Sequence, residues 1–192
     1  DVLSKATSTV VEGEVMQLLT SDDLETPEED YFNVMRAKTS ALFAAACEVS
    51  AVLGKCSAEQ RQALKDYGIY LGITFQLVDD LLDYDSDATT LGKNTGDDFR
   101  EGKLTLPVVL AYRAGDKQEK TFWKRTMDDM EQNEGDFETA LQLLKAHHIF
   151  PQVQEKARFY AQKASDALVV FPETEIKSIL QSLPFYCLER RS

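Results

Sequence analysis

The sequence has 192 residues, 33 of them acidic and 21 basic, for a formal net charge of -12; the length suits one domain with a substantial core and argues against two. Such an acidic balance excludes a nucleic-acid partner, which needs a clustered basic surface, but it admits a small diphosphate because a bound metal can reverse the local field. The three cysteines, Cys47, Cys56 and Cys187, have no metal-ligand spacing and indicate reduced thiols. No apolar run is long enough for a membrane span and no signal-peptide pattern opens the chain, so the expectation is a cytoplasmic protein.

Helix formers are abundant, Gly and Pro are scarce, and no alternating Val/Ile/Thr-rich run stands out, which predicts an all-α class. The chain opens in helical register and runs through Val11, Val15, Leu18 and Leu19 until Thr20-Ser-Asp-Asp breaks the pattern. Without an initiator Met, this start reads as an interior point of a longer chain. A second helix is predicted from Pro27 with Thr26 as N-cap and acidic residues in its first turn, where they suit the helix dipole. Its core, Lys38-Thr39-Ser-Ala-Leu-Phe-Ala-Ala-Ala-Cys47, is rich in small residues that allow close helix packing. Lys38 and Thr39 place a cation and a hydroxyl at the edge of that apolar stretch; a surface lysine or an anion contact both account for them.

Ser57-Ala-Glu-Gln60 has capping-box spacing and predicts the start of the next helix. That helix carries Gly72-Ile-Thr-Phe-Gln76-Leu-Val-Asp79-Asp80-Leu-Leu-Asp83-Tyr-Asp85. Asp79 and Asp83, four residues apart, stack roughly 6 Å apart along the axis, with Asp80 at the edge of the same face. An acidic face in solvent is one account. However, Ile69, Ile73, Leu77, Val78, Leu81 and Leu82 cover most of the circumference, as in a buried helix. There a carboxylate would take up a proton unless a cation compensated it. Mg²⁺ suits the task because it binds through one or two carboxylates plus a phosphate.

Residues 85 to 102 read as a Gly-containing polar loop. Lys93 and Lys103 lie in or beside it, ready to meet an anion, and Asp97 and Asp98 serve as a helix cap or salt-bridge partner. A short apolar helix follows from Leu104 to Tyr112, entered through Pro107. Amphipathic helices are expected at 116 to 133, 136 to 147, 150 to 170 and 173 to 188. His147 and His148 are adjacent, with no nearby carboxylate in sequence, and read as a helix C-terminal pair. Trp123 reads as core or interface.

Taken in order, Gln76-Leu-Val-Asp79-Asp80-Leu-Leu-Asp83-Tyr, Leu91-Gly92-Lys93, Gly96-Asp97-Asp98 and Glu101-Gly102-Lys103-Leu-Thr-Leu-Pro107 resemble the second aspartate-rich motif and following loop of the trans-isoprenyl (polyprenyl) diphosphate synthases, in particular the long-chain members. The resemblance covers essentially all 192 residues as the C-terminal part of such an enzyme, in which a Gly13-Glu14-x-x-Gln17 helix lies mid-chain; the N-terminal helices with the first aspartate-rich motif are not in this sequence. It implies a partial isoprenoid-synthase helical bundle, a homodimer, and Mg²⁺-dependent condensation of isopentenyl diphosphate with an allylic diphosphate. It further implies that Asp79, Asp80 and Asp83 hold Mg²⁺, that Lys38, Thr39, Lys93 and Lys103 contact the allylic diphosphate, and that Gln76 lines the site near the reacting carbon. A non-catalytic subunit of a prenyl synthase dimer and a terpene cyclase are the competing readings.

Overall fold

In the computed structural model, which describes residues 1–20, 23–84 and 95–189, no strand occurs among the described residues. The helices, in order, are α1 (Val2–Thr20), α2 (Glu28–Met35), α3 (Ala41–Leu53), α4 (Ala58–Leu82), α5 (Asp97–Arg100), α6 (Leu106–Ala114), α7 (Lys117–Trp123), α8 (Asp136–Ala146), α9 (Ile149–Ala167) and α10 (Glu175–Glu189). A π-helical turn over Arg36–Ser40 fuses α2 to α3, and another over Lys124–Asp128 extends α7.

The axis of the bundle is α4, and it begins where local chemistry says it should. Ser57 accepts the Gln60 amide at 3.2 Å while the Gln60 side chain accepts the Ser57 amide at 3.0 Å, so two amides at the helix start are satisfied reciprocally. At 25 residues, α4 spans about 38 Å. It packs along α3 on one side and α9 on the other. Small side chains bring α9 close: Ala157, Ala161 and Ala164 recur at helical spacing and are fully buried. The main core gathers Ile73, Leu77 and Leu81 of α4 with Phe32, Leu106, Trp123 and Leu144, and a second cluster joins Tyr67 and Leu71 to Ala164 and Leu168. The long apolar run of α4 is therefore buried, as its sequence predicts.

Three boundaries differ from the sequence expectation for a reason visible in the local chemistry, and others shift by a few residues. The helix after Thr26 begins at Glu28, with Pro27 rather than Thr26 at its N-cap; the extended ψ of Pro27, 142°, keeps it outside the helix, and Glu28, Glu29 and Asp30 hold the dipole-favoured first turn. The stretch 85 to 102 is not loop throughout, since Asp97–Arg100 is helical. The helix expected at 116 to 133 is shorter: Asp116 caps α7, accepting the Gln118 and Glu119 amides, and the π turn ends the run at Asp128. No helix of the described residues is long and apolar enough to cross a membrane.

The π turn between α2 and α3 is gripped from both sides by glycines. A Cβ on Gly72 of α4 would lie 2.7 Å from Ser40 Cα, and one on Gly13 of α1 would lie 2.7 Å from the Lys38 backbone nitrogen. Both obstacles are backbone atoms, which cannot rotate out of the way. Gly72→Ala should therefore lower stability despite its gain of about 1 kcal/mol in helix propensity, because overpacking of this kind costs about 1–3 kcal/mol. Urea denaturation monitored by circular dichroism is the check: the midpoint should fall with an unchanged slope.

Candidate functional site

The last two turns of α4 present the carboxylates, and the fold treats each differently. Asp80 is 2% exposed. Its Oδ1 accepts from Gln76 Nε2 at 2.8 Å, its Oδ2 accepts a short hydrogen bond from the Tyr31 hydroxyl, and Lys103 Nζ stands 3.9 Å from Oδ1. Gln76 is held in turn by the Thr39 hydroxyl, which donates to its Oε1 at 3.0 Å. Burial pushes the Asp80 pKa up to about 6, against the opposing pull of Lys103, Tyr31 and Gln76. Burial also raises the Tyr31 phenol well above its ordinary value, and the adjacent Asp80 charge adds to it.

Asp83 is turned toward the chain that returns after the loop. Its Oδ1 accepts the Asp97 amide at 3.1 Å, its Oδ2 accepts the Asp98 amide at 2.9 Å, and its backbone carbonyl accepts the Gly96 amide at 2.8 Å. It thus caps α5, a role that the sequence reading gave to Asp97 or Asp98. The left-handed backbone of Gly96, φ 82°, allows the reversal into that helix. Burial and the Asp98 charge raise the Asp83 pKa despite the two amides. Asp98 meets Lys103 Nζ at 2.8 Å, the salt-bridge role expected of it. Burial alone would lower the Lys103 pKa, but Asp80, Asp98 and, at longer range, Asp79 raise it overall. Asp79 is half-buried on the same turn.

Lys38 and Thr39, adjacent in sequence, reach to opposite neighbours. Thr39 faces α4, whereas Lys38 Nζ donates to Gln17 Oε1 at 2.6 Å and stands 3.1 Å from Glu14 Oε2, both on α1. Lys38, Thr39, Gln76, Asp80 and Lys103 all line one cavity of about 600 Å³, which is bordered as well by Tyr31, Glu101 and Thr105 and by the apolar Val34, Met35, Val109 and Met127. A cavity that combines cationic and neutral donors with apolar side chains suits an anionic head with a hydrocarbon tail.

Of the residues expected from the sequence, Lys93 lies outside the described residues; Asp79 and Asp83 share the α4 terminus with Asp80 but do not line this cavity. Among the described residues no three His, Cys, Asp or Glu side chains converge as a metal-ligand group; the oxygens of Asp80 and Asp83 accept hydrogen bonds from the protein. Their donor chemistry nevertheless fits a hard cation, because the groups are carboxylate oxygens, the ligands such an ion takes. Tyr31 was missed by the sequence reading, which had no signal for it beyond an aromatic in an amphipathic helix. His147, which has no carboxylate near it in sequence, meets Glu119 in the fold at 2.8 Å.

The raised Asp80 pKa has a stability consequence. Unfolded, the group ionises near 3.8; folded, near 6. Its contribution is therefore fully present below the lower value and lost as pH rises through the upper one, leaving a net penalty at neutral pH. Asp80→Asn should be more stable than the wild type in metal-free urea denaturation at pH 7.5, and the difference should shrink toward pH 4.5.

Comparison with known proteins finds the polyprenyl synthetase family model matching residues 1–144. The octaprenyl diphosphate synthase of Haemophilus influenzae is 39% identical over 98% of this chain and 57% of its own length, and that of Escherichia coli K12 is 38% identical over 99% and 58%. Among solved structures, a polyprenyl synthase from Caulobacter crescentus complexed with calcium and isoprenyl diphosphate superposes with a TM-score of 0.93 at 42% identity, over 100% of this chain and 58% of that one. A decaprenyl diphosphate synthase from Rhodobacter capsulatus superposes at 0.92 with 43% identity, over 98% and 58%. The chain thus spans a little over half the length of the relatives it matches.

Proposed function

From the premise that the chain belongs to the polyprenyl synthetase family, with its all-α fold, we propose that it forms one wall of a trans-prenyltransferase condensing isopentenyl diphosphate with an allylic diphosphate into a longer polyprenyl diphosphate. One observation carries the reading: buried Asp80, bridged through Gln76 to Thr39 and set 3.9 Å from Lys103, borders a cavity lined by both polar and apolar side chains. Long-chain products are favoured by the octaprenyl and decaprenyl relatives.

In this reading Asp79, Asp80 and Asp83 hold Mg²⁺ directly or through water. Mg²⁺, when bound, supplies Lewis-acid stabilisation of the negative charge that develops on the departing diphosphate. Lys103, Lys93 and Lys38 add fixed positive charge at the same oxygens, and the Thr39 hydroxyl adds a donor; such preorganised groups act strongly because the site excludes water. Gln76 lines the site near the reacting carbon. The apolar walls shield the allylic cation until the double bond of isopentenyl diphosphate attacks it. Lys38 would exchange its contacts with Glu14 and Gln17 for the substrate. The calcium-bound relative from Caulobacter crescentus supports a divalent cation at this fold. A homodimeric, cytoplasmic parent enzyme completes the proposal; Val11, Val15 and Leu19 of α1, each more than half exposed, offer an apolar stripe that further helices or a partner would cover.

Calorimetry of pyrophosphate binding to this chain tests the reading. Binding should strengthen about tenfold or more with Mg²⁺, the factor expected if the carboxylates become ligands rather than repelling the anion; equal binding with and without Mg²⁺ would remove them from the site. The same chain, incubated with farnesyl and isopentenyl diphosphates, should give no elongated product, because a single acidic wall anchors only part of the leaving charge. Product at the rate of a full-length relative would contradict the two-walled site.

A further inference from the structure

The geometry points to Tyr31 as a positioning residue of the diphosphate site: its hydroxyl, acting with Thr39 of the π turn, holds Asp80 and Gln76 of α4 in the orientation that receives cation and diphosphate. This inference rests on the function proposed above.

The observation is a closed clamp. Tyr31 donates to Asp80 Oδ2; Thr39 donates to Gln76 Oε1; Gln76 Nε2 donates back to Asp80 Oδ1. Two donors on the α2–α3 run therefore engage two acceptors placed one turn apart on α4. The two donors are eight residues apart. In a regular α-helix eight residues turn through about 800°, so the second would point about 80° away from the first. A π turn takes up one extra residue, and the phase becomes that of seven residues, within about 20° of the starting face. The π turn Arg36–Ser40 is thus what lets Tyr31 and Thr39 face α4 together, and the glycine contacts at Gly72 and Gly13 keep the helices close enough for short side chains to bridge.

The type of residue at position 31 matters as well. A buried carboxylate needs its lone pairs satisfied. A lysine or arginine in that place would meet the need but cancel the charge. A phenol donates a hydrogen bond and adds no charge, so Asp80 stays oriented with its negative charge available to a cation. The clamp also fixes Asp80 Oδ1 relative to Lys103, and so sets the distance between the cation-binding and diphosphate-binding groups.

The test is Tyr31→Phe in this chain, which keeps the ring and its edge contact with Phe32 and removes only the hydroxyl. Pyrophosphate affinity is measured by calorimetry with and without Mg²⁺, alongside thermal unfolding of the unliganded chain. Removing a hydrogen bond to a charged group should weaken Mg²⁺-dependent affinity by about tenfold or more, while metal-free affinity stays within about twofold and the variant melts cooperatively. An unchanged ratio of metal-loaded to metal-free affinity overturns the proposal. So does a variant that no longer folds, because the hydroxyl would then be structural. If the wild type itself shows no Mg²⁺-dependent binding, the failure lies with the proposed function and the inference falls with it; if the wild type shows it and the variant matches, only the role of Tyr31 is lost.

Discussion

The structure depends on a carboxylate that has almost no contact with water. Asp80 is 2% exposed, and an ion in that setting must be protonated, paired or hydrogen-bonded. The fold brings help from three separate parts of the chain: Tyr31 from α2, Gln76 from one turn earlier on α4, and Lys103 from beyond the loop. Satisfying one buried charge therefore ties α2, α4 and the Lys103 segment into a single unit. The help is incomplete, since the Asp80 pKa remains well above the usual carboxylate range. That residual cost is the desolvation that the three partners offset only in part.

The same site sets backbone constraints at a distance. Thr39 and Tyr31 can act together only if the helix carrying them departs from regular α geometry, and that departure is packed between two glycine-lined faces. A π turn is a poorer hydrogen-bonding arrangement than the α-helix it interrupts, and such turns tend to occur at functional sites. Asp83 makes a parallel demand at the other end: by accepting the amides of Asp97 and Asp98 it closes the chain back onto α4 and brings Asp98 within 2.8 Å of Lys103. Both devices deliver polar groups of distant chain segments to one end of one helix.

What could be read from the sequence was local. The Ser57–Gln60 capping box, the buried character of α4 and the all-α class follow from spacing and periodicity within a few turns, and the ordered motif around Asp79, Asp80, Asp83 and Lys103 identified the family. Contacts that join segments far apart in sequence were not readable. Tyr31 lies 49 positions from Asp80, and Glu119 lies 28 from His147; no local pattern announces either pair. The π turn escaped because its five residues, Arg-Ala-Lys-Thr-Ser, have ordinary helix propensities, and the contacts that flank it, at Gly13 and Gly72, come from segments distant in sequence. Asp83 was readable as an acid on the right face but not as a cap, since that role requires the chain to return after the loop.

In the proposed site the Tyr31–Asp80–Gln76–Thr39 clamp and Lys103 together define where diphosphate binds. A crystal structure of this chain with Mg²⁺ and a non-reactive allylic thiolodiphosphate tests it most directly. Diphosphate oxygens are expected about 3 Å from Lys103 Nζ and the Thr39 hydroxyl, with metal at the α4 carboxylates and the Tyr31–Asp80 hydrogen bond intact. Diphosphate bound on another face, or Asp80 swung away from Tyr31 with Lys103 uninvolved, would contradict it.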